Sequence, residues 1–423
     1  MDQAISALHH REPITAGASV LVTPPLDLER VVYMDNHATT RVDPRVVHAM
    51  LPFFSEAYGN ASSVGHMQGD GARQAVNDAP ETIARSLNAS SEEIVFTSGA
   101  TESNNLAIRG VVQRPRRRGN HIVSVATEHK AVLDPLAQLA RKGHDVTLLS
   151  VEQTGSRRAG WLDPQKVADA IRDDTCLVTV MLANNEIGVL QPIAEICEIC
   201  KQKEILVHTD ATQAVGRVPI DAAALQVDLM SFSGHKMYGP KGVGALYVRR
   251  GSPRVRLAAQ IDGGGQEHGR RSGTLNVPGI VGMATALQLC NQELATETSR
   301  LLADRNRLFH GLSDALDEVA LNGPSLDSPT ARLAGNLNCS FAGVDGEALM
   351  MSMRDLAVSS GSACTSTNPE PSHVLRALGL SDDLTRASLR FGLGRFNTSA
   401  EVDFAIQLVS ETVDRLRHMR SLT

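Results

Sequence analysis

Lys236 stands in the run Ser231-Phe-Ser-Gly-His-Lys-Met-Tyr-Gly-Pro240. Upstream, the apolar run Ile205-Leu-Val-His-Thr209 leads into Asp210-Ala-Thr-Gln213. An aspartate at one strand's end, followed by a lysine in the small-residue turn after the next strand, supplies what pyridoxal phosphate needs from a protein. The lysine amine holds the cofactor's aldehyde covalently. The carboxylate keeps the ring nitrogen protonated, so that the ring can accept electrons. A solvated lysine in a Gly/Ser turn explains this segment alone equally well.

Four further places carry side chains suited to chemistry. Ser98-Gly-Ala-Thr101 follows a strand-like run and opens a helical one, Glu102 to Ile108. Backbone N–H groups at a helix start beside a hydroxyl can cradle a phosphate, although Thr101 could equally be a simple helix cap. His129 lies two residues beyond Thr127, and an imidazole there can stack on a ring or relay protons; with 14 histidines in the chain, a structural role is the ordinary alternative. Cys364 sits in Ser359-Ser-Gly-Ser-Ala-Cys-Thr-Ser-Thr-Asn368, a run too small and polar for a core, which suits a thiolate nucleophile better than packing. Arg390, in Ser388-Leu-Arg-Phe-Gly392, offers a bidentate partner to a carboxylate, where a surface arginine would be the default.

The elements that must position these groups alternate. Glu93–Phe96, His121–Val125, Val146–Leu149, Leu177–Leu182, Ile205–His208, Leu229–Phe232 and Gly244–Val248 read as strands. Helical segments such as Asp163 to Ile171 and Pro192 to Gln202 separate several of them. The pattern predicts an α/β fold with a mostly parallel seven-stranded sheet, and places the Gly/Ser-rich motifs just after strands, where open α/β sheets bind ligands. A long helical pattern follows from about Val281 to Leu316. Strands at Gly335–Phe341, Ala357–Ser360 and Ser388–Phe391 and a last helix from Ser399 then describe a smaller α+β domain.

Seven segments together carry a resemblance. They are Thr97-Ser-Gly-Ala-Thr-Glu102, Thr127-Glu-His-Lys130, Asn184-Asn-Glu-Ile-Gly188, Asp210-Ala-Thr-Gln213, Ser233-Gly-His-Lys236, Arg271-Ser-Gly-Thr274 and Ser359-Ser-Gly-Ser-Ala-Cys-Thr-Ser366. In this order they resemble the motifs of cysteine desulfurases, fold-type I pyridoxal-phosphate enzymes, and the last resembles the group I branch that serves iron–sulfur cluster assembly. The likeness runs from about Val32 to about Leu416. It implies a large domain over 46–293 and a small domain from 31–45 and 294–423, while Pro24-Pro25 and the small residues near them suggest a flexible N-terminal extension over 1–30.

The same resemblance implies the site. Ala100, Thr101, Ser233 and His235 would hold the phosphate, Asp210 the ring nitrogen, Gln213 the phenolic oxygen and Lys236 the aldehyde. His129 would stack on the ring, Asn185 would contact cofactor or substrate, and Arg390 the substrate carboxylate. Thr274 would reach the phosphate of a neighbouring subunit, which implies a homodimer. Cys364 would take sulfur from L-cysteine as a persulfide, leaving alanine, and pass it to an acceptor such as an iron–sulfur scaffold protein or a tRNA-thiolation factor. Through that persulfide it would also be a transient ligand of a shared 2Fe–2S cluster. Two departures stand out. His37, in Asp35-Asn-His-Ala-Thr-Thr40, replaces the small or amide residue usual in relatives. The chain also stops at Arg420-Ser-Leu-Thr423, short of the tail with which housekeeping relatives grip the scaffold. Selenocysteine lyase or another fold-type I enzyme is the enzymatic alternative; a catalytically idle scaffold is the alternative of another class.

Composition narrows the setting. A net charge of −6 with 42% hydrophobic and 21% charged residues is ordinary for a globular protein and gives no general reason for nucleic-acid binding. The one basic run, Arg114 to Arg118, reads as a solvated loop or a docking patch for an acidic protein or tRNA. Six scattered cysteines without a disulfide framework, no membrane-length apolar run and no secretory h-region favour a cytoplasmic location. Cys197 and Cys200 fall at helical spacing and read as a packed face rather than a zinc site.

Overall fold

A computed structural model describes residues 31–114, 119–251, 254–328, 330–360 and 370–422. The strands in chain order are β1 (Val32–Tyr33), β2 (Ile94–Thr97), β3 (His121–Val125), β4 (Asp145–Leu149), β5 (Thr175–Thr179), β6 (Leu206–Asp210), β7 (Leu229–Ser233) and β8 (Gly244–Val248). After them come β9 (Val319–Leu321), β10 (Asn336–Phe341), β11 (Leu356–Ala357), β12 (Ser359–Ser360) and β13 (Ser388–Gly392). The main sheet has seven strands in the order β2-β8-β7-β6-β5-β3-β4, and β8 runs antiparallel to both its neighbours. The remaining pairs are parallel.

Helices cover both faces, so the inner strands are buried along their whole length. Side chains alternate between two apolar cores. On β8, Ala245 and Tyr247 join one core while Leu246 and Val248 join the other. Only the edge strand β4 shows mixed exposure. The second fold-back sheet has the order β12-β13-β10-β9, with a separate parallel pair β1-β11. On β10 and β13, Leu337, Cys339, Phe341, Leu389 and Phe391 enter a third core. The alternate residues Asn338 and Arg390 face each other across the ladder on the opposite, polar side.

The helix Val277–Ala315 spans 39 residues, roughly 58 Å at 1.5 Å per residue. Its first half buries Ile280, Met283 and Leu287 in the sheet's core; its second half buries Leu301, Leu308 and Leu312 in the third. One rigid rod thus serves both packing units.

Two sequence expectations need correction. Ala357–Ser360 is not one strand: Ala357 pairs with Tyr33 and Ser359 with Arg390, and Val358 is where the chain changes sheets. The strand expected at Leu177–Leu182 is β5, starting two residues earlier; Val180 and Leu182 leave the regular ladder yet still bond to the carbonyls of His208 and Asp210. Cys197 and Cys200 lie buried on the helix Ile193–Gln202, and burial pushes both thiols up, that of Cys200 to about 12. Among the described residues no three His, Cys, Asp or Glu are placed to hold a metal, and no helix is long and apolar enough to cross a membrane.

Leu308→Ala should lower stability by about 2–5 kcal/mol, because it opens a cavity in a fully buried layer of the long helix. Urea unfolding followed by circular dichroism measures this, and a loss below about 1 kcal/mol would contradict the packing described.

Candidate active site

The ends of β6 and β7 and the turns after β2 and β3 surround a cavity of about 550 Å³. Ala100, Thr101, His129, Asn185, Asp210, Gln213, Ser233, His235 and Lys236 all line it. Crossover connections in a parallel sheet leave such a crevice at the strands' carboxyl ends.

At one end, the helix Ala100–Val112 begins without a side-chain cap. Its N-cap is Gly99, so Thr101 is not the cap and its exposed hydroxyl stays available. Gly99 has φ +155°, and a Cβ there would meet nothing nearer than Ser233 Oγ at 3.8 Å. The first-turn residues Ala100, Thr101 and Glu102 line the cavity. Glu102 accepts from Ser98 N at 2.8 Å and pairs with Arg271 at 2.8 Å, which neutralises the one acid of this turn. Ser233 donates to Val243 O, and His235 Nδ1 meets Thr39 Oγ1 at 3.1 Å. Burial and the neighbouring Lys236 and Lys241 depress the His235 pKa to about 4. An uncapped N-terminus with Ser and Thr hydroxyls beside it is chemistry for a phosphate.

Across the cavity, Asp210 is buried and held from two sides. Asn104 Nδ2 donates to one oxygen at 2.7 Å and the Thr212 N–H to the other at 2.9 Å. Asn104 Oδ1 and Thr212 Oγ1 are buried without partners among the described residues. Behind them lies Glu128, fully buried, accepting from Met181 N at 2.5 Å with its other oxygen unpartnered. Burial first, and then the charge of Asp210, raise its pKa well above the usual carboxyl range. His129 caps the helix Lys130–Arg141, accepting at Nδ1 from the Ala131 N–H at 3.0 Å. That acceptor role puts the neutral ring's proton on Nε2. Burial also lowers its pKa, so the neutral form prevails at pH 7.

Lys236 closes a single 3₁₀ turn after β7. Its ammonium donates to the carbonyls of His37 and Ala38, both at 2.6 Å. Burial, followed by the charges of Arg390 and Arg217, lowers its pKa to about 7. Gln213 is buried against His37, with Nε2 on His37 O at 2.9 Å and Oε1 on His37 Nδ1 at 3.0 Å.

A second cavity of about 510 Å³ shares Ala38, His129, Asn185 and Lys236 with the first. Arg390 lines it, donating to Asn185 O at 3.1 Å, to Asp35 at 2.8 Å and to Ser359 Oγ at 2.8 Å. Its Nε is buried with no partner among the described residues. Ser359, Ser360, Glu370 and Pro371 line the same cavity. Cys364 lies outside the described residues. Thr274 is exposed and lines neither cavity of its own chain.

Several residues of the site escape sequence reading. Asn104 holds Asp210 from the body of a helix, Asp35 holds Arg390 from 355 residues away, and Glu128 is hidden beside the histidine of its own motif. His37 was visible as an oddity, but nothing in the chain's periodicity joins it to Gln213.

The aminotransferase class-V family model matches residues 32–404. A cysteine desulfurase IscS of Anaeromyxobacter dehalogenans is 56% identical over 391 residues, covering 92% of this chain and 94% of the relative. One from an Escherichia coli strain is 52% identical over 393 residues, covering 92% and 95%. Among solved structures, a NifS-like protein superposes with a TM-score of 0.83 at 37% identity, covering 91% of this chain and all of the other (100%). A structure described as SspA in complex with cysteine gives 0.74 at 37% identity, covering 86% and 99%. With an uncapped helix N-terminus, a held carboxylate and a half-buried lysine around one cavity, and these likenesses along nearly its whole length, the chain belongs to the class-V aminotransferase family and, within it, to the cysteine desulfurases.

Proposed function

We propose that this chain binds pyridoxal phosphate on Lys236 and uses it to move sulfur from L-cysteine to Cys364, releasing alanine. The observation that carries this reading is the placement of the Lys236 amine, held on two backbone carbonyls, and the doubly held Asp210 on one cavity. The residues fit the group: the uncapped turn at Ala100 and Thr101, with Ser233 and His235, suits its phosphate; Asp210 suits its ring nitrogen; and the unpartnered atoms of Asn104 and Thr212 mark a polar space to be filled. When bound, the cofactor supplies an electron sink for the charge that develops at the substrate's α-carbon.

The chain's own groups do the rest. Lys236, poised near neutrality, can release and accept a proton at Nζ without a large cost in either direction. His129 carries its proton on Nε2 and faces both cavities, so it can hand a proton to a departing or arriving group. Arg390 is oriented by Asp35 and Asn185 and lines the second cavity, where its guanidinium suits the substrate carboxylate. In the sulfur step, the thiolate of Cys364 attacks the substrate sulfur. The new S–S bond forms as the substrate's C–S bond breaks, and its electron pair stays with the carbon, which is protonated to the methyl group of alanine. Cys364 is left as a persulfide.

Further roles belong to the same reading. Thr274, exposed in its own chain, completes the phosphate site of a second copy, so the working form is a homodimer. A sulfur-acceptor protein such as an iron–sulfur scaffold takes the persulfide, with Cys364 a transient ligand of a shared 2Fe–2S cluster. The reaction is cytoplasmic and uses no membrane or nucleic acid. A large domain over 46–293 and a small one over 31–45 and 294–423 follow the division into two sheets, although Leu333, Val374, Leu375 and Leu378 pack into the main sheet's core.

Three measurements test this. Cys364→Ser should keep the cofactor and its colour but lose persulfide and sulfide formation from cysteine, because a hydroxyl is a far weaker nucleophile toward sulfur than a thiolate. Near-normal sulfide release by that variant would remove Cys364 from the mechanism and favour selenocysteine lyase chemistry. In cofactor-free protein, amine labelling of Lys236 across pH should show a midpoint near 7. Arg390→Gln should raise that midpoint, since a nearby cation disfavours the ammonium form; a midpoint above 9.5, about one unit below an ordinary lysine, would exclude the buried site. Light scattering should give twice the chain mass, and Thr274→Ala should weaken cofactor retention by about 1.5–3 kcal/mol. An active monomer would rule out the shared site.

A further inference from the structure

We infer that His37 is a positioning residue that locks the Gln213 amide with its N–H, not its carbonyl, turned toward the cofactor's phenolic oxygen. This rests on the pyridoxal-phosphate reading of the site and deepens it. The chain of contacts has only one consistent solution. The backbone carbonyl of His37 can only accept, so the Gln213 atom 2.9 Å from it must be the NH₂ group. The other amide atom is then the oxygen, which can also only accept. The His37 Nδ1 that meets it at 3.0 Å must therefore carry the ring's proton. His37 is thus a neutral Nδ1–H imidazole, with a bare Nε2 buried and unpartnered among the described residues.

The surroundings hold that form. The ring is buried, and Arg217, Arg390 and Lys236 face it; Asp35 is turned to Arg390. A second proton would add a cation beside Arg217 and Arg390, with no carboxylate among the described residues to receive it. The backbone is fixed as well. Lys236 donates to the same His37 carbonyl at 2.6 Å, and a Cβ at Gly392 would come within 3.0 Å of the ring's Cδ2. Gln213 keeps one N–H that neither contact uses, and it lines the cavity beside Asp210 and Lys236. A flipped amide would set two acceptors, Gln213 Oε1 and the His37 carbonyl, against each other. It would also set its oxygen against the phenolic one. An alanine or serine at position 37 supplies no ring N–H and leaves the amide's orientation to the backbone contact alone.

Two experiments test this. Long-range ¹H–¹⁵N correlation spectra of the histidine-labelled full chain, with His37→Phe for assignment, should show Nδ1 protonated and Nε2 bare between pH 6 and 8. A ring protonated on Nε2 alone, or a doubly protonated one, would overturn the proposal whether or not the cofactor reading holds. Separately, binding of pyridoxal phosphate and its 3-deoxy analogue to cofactor-free protein should differ by about tenfold in favour of the phenol. His37→Phe should reduce that preference to near unity while leaving affinity for the analogue unchanged. His37→Gln, whose amide can donate to Gln213 Oε1, should restore it. An undiminished preference in a folded His37→Phe protein would refute the lock. Failure of the parent chain to take up either compound would instead refute the cofactor reading and leave the tautomer result standing.

Discussion

The carbonyls of His37 and Ala38 are what the Lys236 ammonium has to lean on. Among the described residues no carboxylate bonds to it; Arg390 and Arg217 repel it, and burial removes water from it. Two backbone dipoles cannot offset that fully, so the amine sits near neutrality, which is the state a nucleophilic lysine needs. The geometry depends on a short, non-helical segment staying put. Asp35–Thr40 is fastened by Asn36 N and Nδ2 to Gly392 O, by Thr40 N to His235 O and by Arg217 to Asn36 O. Gly392 is required for this fit, because a side chain there would meet the backbone nitrogens of Asn36 and His37 at 2.9 and 2.8 Å. The site's floor is thus a long-range contact between the start of the described chain and its last strand.

That contact is stable because the two packing units share the helix Val277–Ala315 and a polar clamp beside it. Arg395 reaches Asp43 at 2.8 Å, Glu297 at 2.9 Å and Glu293 at 3.1 Å, and stacks over the Tyr238 ring. Three acids around one mostly buried guanidinium compensate its desolvation; losing Arg395 would leave buried Asp43 to Arg45 alone. Tyr238, directly beyond the Lys236 turn, is bonded to Glu297 and to Arg395 N. Positioning of the lysine and docking of the second sheet are therefore the same set of interactions.

Periodicity made the seven strands and the long helices legible, since buried parallel strands read as short β-branched runs and their ligand turns as Gly and Ser. The cavity's place at the strands' carboxyl ends was legible for the same reason, whereas the roles of its residues came from the resemblance of their motifs. What could not be read is pairing. Nothing local links Asn104 to Asp210, Asp35 to Arg390 or His37 to Gln213, because each bond joins side chains more than a hundred residues apart. The split of Ala357–Ser360 between two sheets was hidden too, since both halves look like strand and only their partners differ.

Glu128 shows how burial apportions charge around the cavity. It and Asp210 share one low-dielectric region, and two anions there would repel strongly. Asp210 has an amide N–H and a backbone N–H aimed at its two oxygens, whereas Glu128 has one backbone N–H and one bare oxygen. Burial, and then the nearby Asp210 carboxylate, push the Glu128 pKa well above the usual carboxyl range. Asp210, with its two donors, lines the cavity, whereas Glu128 lies outside its lining. Asn104 and Thr212 supply those donors, although neither carries a charge.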